Sequence, residues 1–190
     1  MVKLNKIYTR TGDAGDTGLG TGERRPKFDI RVASYGTVDE LNAIVGIVRL
    51  SADAALDAML ARIQNELFDL GADLATPETG DPLPYERLAI VPSQVERLER
   101  EIDAMNARLE PLRSFVLPAG SPAATHLHHA RTVARRAERL MVELARKEGE
   151  IVSAAALQYI NRLSDHLFVA ARIANDDGKG DVLWVPGQSR

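Results

Sequence analysis

The chain has 190 residues, 45% hydrophobic and 5% aromatic, with a formal net charge of −3. That length suits one domain with a full core, and a composition rich in Ala, Leu and Arg suits a helical bundle. The charge gives no basic field for nucleic acid, the lack of cysteine excludes disulfides and thiolate or Cys-zinc chemistry, and no apolar run has signal-peptide or membrane-span length, so a soluble cytoplasmic protein is expected.

Residues 1–27 have no helical period and are rich in Gly, Thr and charge. Gly12, Gly15, Gly18, Gly20 and Gly22 leave the backbone free for close approach to a ligand. Thr9, Thr11 and Thr17 add hydroxyls, and Arg10 and Lys27 add charge. These residues suit a loop wrapped round a polyphosphate and equally a disordered arm. Neither the P-loop pattern nor GxGxxG is matched.

A helix is expected from Ala33 to Leu50, with Val38, Leu41, Ile44, Val45 and Val48 on one side. Thr37 and Glu40 stand at capping-box spacing, which puts Asp39 in the first regular turn, near the positive end of the helix dipole. A second helix, Ala54 to Leu74, carries a seam through Leu56, Leu60, Ile63, Leu67 and Leu70. Pro77, Gly80, Pro82 and Pro84 make 76–91 a loop. Ser93 with Glu96 reads as a capping box opening a third helix to about Arg108, and Pro111 ends it. Phe115 follows in a short apolar piece closed by Pro118, Gly120 and Pro122, where it reads as a core anchor.

The fourth helix, His126 to Leu144, has two stripes. Leu127, Ala130, Ala134, Ala137, Met141 and Leu144 form a bundle seam. At about 100° per residue, Arg131, Arg135, Glu138 and Val142 fall within roughly 60° of one another beside it, flanked by Arg136 and Arg139. A solvated face is the plain reading of such a stripe. The alanines, however, bring a neighbouring helix close, and sheltered guanidinium groups need anionic partners such as carboxylate or phosphate. His126, His128 and His129 lack further ligands at suitable spacing and no Glu-x-x-His occurs, so capping or surface polarity is expected of them and no metal site. Gly149 makes a turn, and Val152 to Asn175 is a final helix interrupted by Asn161, Arg162, Ser164 and Asp165. The tail holds the only Trp. The fold class expected is all-α: a single domain with an arm over 1–32, a helical bundle over 33–176 and a tail over 177–190.

Three pieces of the chain, taken together, resemble the PduO-type ATP:cob(I)alamin adenosyltransferases: TRTGDAGDTGLGTGERRPK in the arm, VDELN at 38–42, and RTVARRAER with NRLSDHLF at 161–168. Ala134 stands where many members have Cys, on the apolar seam where the change should matter little. The resemblance implies a five-helix bundle with a glycine-rich arm, assembled as a homotrimer with ATP between subunits. It implies that cobalt of cob(I)alamin attacks the 5′ carbon of ATP, giving adenosylcobalamin and triphosphate, with Mg²⁺ accompanying ATP. By position it places Thr9, Arg10, Thr11, Gly12, Asp13, Gly15, Asp16, Thr17, Gly18 and Lys27 around the triphosphate. Arg135, Arg136, Glu138, Arg139 and Asn161 then belong to the ATP site, with Arg131, Arg135, Glu138 and Asp39 as the catalytic residues. Asp39 and Arg131 resemble a pair bridging two subunits beside it, and Phe115 resembles the aromatic at the lower face of the corrin. Hand-over of the product to a coenzyme-dependent enzyme is compatible with this. The alternative from another class is a non-catalytic cobalamin carrier or nucleotide sensor. The retained arginines favour the enzyme.

Overall fold

A computed structural model describes residues 7–78 and 86–190. Part of the loop expected over 76–91, with Gly80, Pro82 and Pro84, lies outside the described residues, as do residues 1–6 of the arm. Among the described residues five helices follow a short hairpin. They are α1 (Ile30–Arg49), α2 (Ala54–Ala75), α3 (Pro92–Asn106), α4 (Pro122–Arg146) and α5 (Ala154–Ala174). Helix α4 packs against both α1 and α5, α1 also packs on α2, and α3 on α5. Among the described residues no helix is long and apolar enough to cross a membrane.

The seam of α4 lies where its spacing puts it. Leu127, Ala130, Ala134, Ala137, Met141 and Leu144 are all fully buried. Small side chains there let α1 and α5 close in, while Leu60, Ile63, Leu67 and Leu70 of α2 supply bulk. Each such buried Leu or Ile is worth about 1.5–3 kcal/mol. Ala134 is buried inside this seam.

Helix starts differ from expectation for identifiable reasons. Helix α1 begins at Ile30, capped by Asp29, whose carboxylate accepts from the N–H of Arg31 at 2.8 Å. Its first inward positions are polar (Arg31, Ser34 and Thr37 are buried), so no apolar period announces them. The Thr37 hydroxyl donates to the carbonyl of Ala33, so Thr37 and Glu40 do not form a capping box, and Asp39 stands in mid-helix away from the dipole's end. Helix α3 starts at Pro92, with the Gln94 side chain accepting from the N–H of Val91, so the Ser93–Glu96 pair is not its cap. Helix α4 starts at Pro122 behind a Ser121 cap, because Pro at the first helical position opens a helix as well as closing a loop.

The arm is not wholly without regular structure. Strands β1 (Asp16–Gly18) and β2 (Arg24–Pro26) pair antiparallel, Asp16 opposite Pro26 and Gly18 opposite Arg24. Gly22, at φ +86°, closes the turn between them, its N–H donating to the carbonyl of Leu19. The hairpin is docked on α2: Leu19 is buried and the N–H of Gly20 donates to the carbonyl of Ala75 at 2.8 Å.

Beneath it lies a buried ion pair. Arg31, 1% exposed, donates from Nε and a terminal nitrogen to Glu150 at 3.0 and 2.6 Å, and to the carbonyl of Leu74 at 2.6 Å. Arg25 from β2 also pairs with Glu150, and Lys147 reaches Asp29 at 3.1 Å. Burial pushes the Glu150 carboxyl up, but hydrogen bonds and charge from Arg25 and Arg31 outweigh it and hold the group below the usual range. A carboxylate depressed in the folded state stabilises above its unfolded value, about 4.3, and loses that contribution as pH falls through the lower folded value. Glu150→Gln should therefore cost roughly 3–5 kcal/mol at pH 7, since two guanidinium groups lose their counter-charge. Urea unfolding at pH 7 and below pH 4 checks this. The gap between wild type and variant should narrow on acidification, and a gap that stays constant would remove the ion pair as its cause.

Candidate functional site

The outward stripe of α4 stands next to its buried seam. Arg131 is half-buried, Arg135 exposed and Glu138 half-buried. Glu138 accepts a hydrogen bond at 2.7 Å from the Asn161 amide of α5, so two of the expected residues meet across helices. Arg139 folds back to donate to the carbonyl of Arg135 at 3.0 Å. Arg136 turns the other way and pairs with Glu40 of α1. By contrast, the guanidinium groups of Arg131 and Arg135 make no hydrogen bond or ion pair among the described residues. Burial, then the charge of Arg135, pushes Arg131 below its ordinary value. Two adjacent cations without counter-ions form a local positive field that an anion would relieve.

Beyond Arg139 the stripe opens into a groove of about 510 Å³, between Arg146 and Lys147 at the end of α4 and Ile30 at the start of α1. Lys147 and the nearby Glu150 are also where the root of the arm is tied down. The arm itself is a run of tight turns. Arg10 has φ +61°, and its guanidinium carbon lies 5.5 Å from the centre of the Tyr8 ring. The N–H of Asp13 and Gly15 point back to the carbonyls of Arg10 and Gly12, and the hydroxyls of Thr9 and Thr11 are 2.9 Å apart. Gly12 marks a close approach: a Cβ there would stand 3.2 Å from the Asp16 carbonyl oxygen and 3.3 Å from Nζ of Lys27. Lys27 is thus folded over the segment that also carries Asp16, Thr17 and Gly18. No hydrogen bond or ion pair joins residues 9–18 to Arg135 or Arg139 among the described residues.

No hydrogen bond or ion pair joins Asp39 to Arg131 among the described residues. Asp39 is exposed on α1, beside a groove of about 370 Å³ between α1 and α2 that is flanked by the exposed ring of Phe68. Phe115 is 78% exposed, so it is not a core anchor. Its ring lies 5.9 Å from that of Trp184, and its carbonyl accepts from the N–H of Trp184. The histidines divide. His129 is exposed and His126 half-buried, but His128 is fully buried, edge-on to Phe168, so surface polarity fails as its explanation. Burial, and then the charge of Arg131, lowers its pKa.

The residues missed from sequence are the partners. Glu40, Arg24, which donates to the carbonyl of Thr11, and Trp184 each hold a site candidate in place. Trp184 stood out as the sole Trp and Glu40 as half of a supposed capping box, but neither signal pointed to these contacts.

The model of the cobalamin adenosyltransferase family matches residues 7–174. The chain is 48% identical over 191 residues to the corrinoid adenosyltransferase of Mycobacterium tuberculosis, covering 100% of this chain and 97% of that one. It is 47% identical over 172 residues to the corrinoid adenosyltransferase PduO of Salmonella typhimurium, covering 90% of this chain and 50% of that one. A Phe-to-His variant of the PduO-type ATP:corrinoid adenosyltransferase of Lactobacillus reuteri, solved with cobalamin and ATP, superposes with a TM-score of 0.87 at 39% identity, over 95% of this chain and 97% of that one. The chain belongs to the PduO-type cobalamin adenosyltransferase family.

Proposed function

We propose that the α4 stripe, the turn-rich arm and Phe115 together form the site at which this chain, an ATP:corrinoid adenosyltransferase, moves the 5′-deoxyadenosyl group of ATP to the cobalt of a corrinoid. The observation that carries this placement is the pair of unpartnered guanidinium groups, Arg131 and Arg135, beside a glutamate locked by Asn161. The cobalt–carbon bond forms as the carbon–oxygen bond breaks, and the electron pair leaves with triphosphate. Charge growing on that leaving group is what preorganised donors stabilise. Cobalt supplies the nucleophile, so the protein needs none of its own. A divalent cation bound with the nucleotide would share the leaving-group charge.

On this reading Thr9, Arg10, Thr11, Gly12, Asp13, Gly15, Asp16, Thr17, Gly18 and Lys27 surround the triphosphate, with backbone N–H groups and Lys27 as donors. Arg135, Glu138, Arg139 and Asn161 complete the nucleotide site. Arg136 contributes less than Arg135, because Glu40 already neutralises it. Phe115 excludes water and the axial ligand from the lower face of the corrin. The protein acts in the cytoplasm as a homotrimer, with Asp39 of one subunit against Arg131 of the next, and delivers its product to a coenzyme-dependent enzyme. Both charges lack a partner within the described chain, and the apolar α1–α2 groove beside Asp39 offers a surface for the neighbour.

Anaerobic assay of cob(I)alamin with MgATP should yield the adenosylcobalamin spectrum and triphosphate, not diphosphate. Arg135→Ala should lower turnover by about 10²-fold or more while leaving helical content unchanged. Wild-type-like activity in that variant would remove Arg135 from the site.

Residues 9–22 should become protected from protease near Gly15 on adding MgATP, since a glycine-rich loop loses much conformational freedom when it closes on a ligand. Cleavage that is indifferent to saturating nucleotide would rule out the arm as the phosphate cradle.

Asp39→Asn and Arg131→Ala should each loosen the trimer and weaken ATP binding, by roughly 2–5 kcal/mol if the pair is desolvated at the interface. The double variant should lose less than the sum, as both changes break one contact. Sedimentation and nucleotide titration of the three variants decide it. Additive losses, or a monomeric wild type, would overturn the pairing.

A further inference from the structure

We propose that the C-terminal segment from Gly178 to Trp184 positions the Phe115 ring, with Trp184 as its brace and an Arg172–Asp181 ion pair as the lock. The proposal rests on the reading of Phe115 as the aromatic beneath the corrin. A ring 78% exposed cannot be placed by core packing, and the α3–α4 loop that carries it offers little else. Apart from one turn, Ala119 N–H to the carbonyl of Leu117, every hydrogen bond of residues 114–117 among the described residues goes to the tail. The N–H of Leu117 donates to the carbonyl of Val182, and the N–H of Trp184 to that of Phe115, both at 2.8 Å. The Ser114 hydroxyl donates to the carbonyl of Trp184 at 2.6 Å, and Val116 bridges antiparallel to Leu183. The two rings meet at 5.9 Å and 57°, a tilted aromatic contact.

The tail is fastened in turn. Asp176 and Asp177, at φ +52° and +50°, take a left-handed conformation that non-glycine residues keep only where their surroundings impose it. Arg108 holds Asp177 at 2.6 Å, and the N–H of Gly178 donates to the carbonyl of Arg172. The Arg172 and Asp181 side chains are 8% and 4% exposed and meet at 2.7 Å, and Arg172 also donates to the carbonyl of Glu110 at the other end of the loop. Asn175 donates to Asp181 and to the carbonyl of Ala119, and accepts from the N–H of Ser121. That reach exists because residue 120 is glycine: a Cβ there would stand 2.2 Å from the Asn175 oxygen. Loop and tail are thus one clamp, anchored in the bundle at its buried end and presenting Phe115 at its exposed end. Among the described residues no hydrogen bond or ion pair joins these tail residues to Arg131, Arg135, Glu138 or Asn161, so their effect should fall on the corrinoid step that Phe115 serves.

The experiment compares two routes in the full-length protein: cob(II)alamin with a chemical reductant, and pre-reduced cob(I)alamin, each with MgATP. Trp184→Ala should lose about tenfold more in the first route than in the second, the size expected of one aromatic contact. Trp184→Phe, which keeps an aromatic contact, should recover this selective loss. Phe115→Ala combined with Trp184→Ala should lose no more than Phe115→Ala alone. In Asp181→Asn the emission of Trp184, the chain's only tryptophan, should shift to the red, with the same selective loss. Equal losses in both routes for Trp184→Ala, or losses additive with Phe115→Ala, would overturn the clamp while leaving a selective Phe115 effect intact. If Phe115→Ala itself loses equally in both routes, the reading of Phe115 falls and the clamp's role falls with it.

Discussion

Glu150 lies in the α4–α5 connection, and what reaches it determines where the arm goes. Arg31 comes from the first turn of α1, Arg25 from the hairpin, and the same Arg31 closes the last carbonyls of α2 through Leu74. One carboxylate therefore ties together the root of the arm, the start of α1, the end of α2 and the turn after α4. Burying such a group costs several kcal/mol in desolvation unless its oxygens are well matched. Here the matching is complete, with donors on both oxygens. A hydrophobic substitute could fill the same volume but would not select one direction for the hairpin. That selectivity lets the segment above it be glycine-rich: the arm's root is fixed, so only its tip needs freedom.

The arginines divide by whether they have a partner. Arg25, Arg31, Arg49, Arg87, Arg108, Arg162 and Arg172 each face a carboxylate, and all of these hold elements together. Arg131 and Arg135 face none among the described residues. In a protein with more acidic than basic residues overall, leaving two neighbouring cations unmatched is costly to the isolated fold. An anion or a carboxylate of a neighbouring molecule would relieve that repulsion.

Much of the bundle was legible because its seams are apolar and periodic. The stripe of α4 was legible too, since Arg131, Arg135 and Glu138 share a face by spacing alone. What escaped has a common cause. The first turns of α1 bury Arg31, Ser34 and Thr37, which no hydrophobic period marks. The hairpin is held by Gly20 and Leu19 against α2, a long-range contact. Phe115 read as core because a large aromatic in an apolar piece usually is, yet its partner lies near the far end of the sequence, in Trp184. His128 and His129 are adjacent and alike in composition, and only the packing of α5 decides that one is buried and the other exposed.

Helix α5 shows how polar burial serves the site indirectly. The Tyr159 hydroxyl donates to Glu66 of α2 at 2.8 Å, Glu66 pairs with Arg97 of α3, and His166 meets Glu101 of α3 at 3.0 Å. Burial pushes the Tyr159 phenol up, so it stays protonated and keeps donating. These contacts are directional, whereas the leucines between them would tolerate a small slide of α5 along α3. Asn161 lies between Tyr159 and His166 on the same helix. Fixing those two residues fixes the height of Asn161, and through its 2.7 Å bond the rotamer of Glu138. Glu138 is thereby committed to Asn161, and no hydrogen bond or ion pair joins it to Arg135 among the described residues.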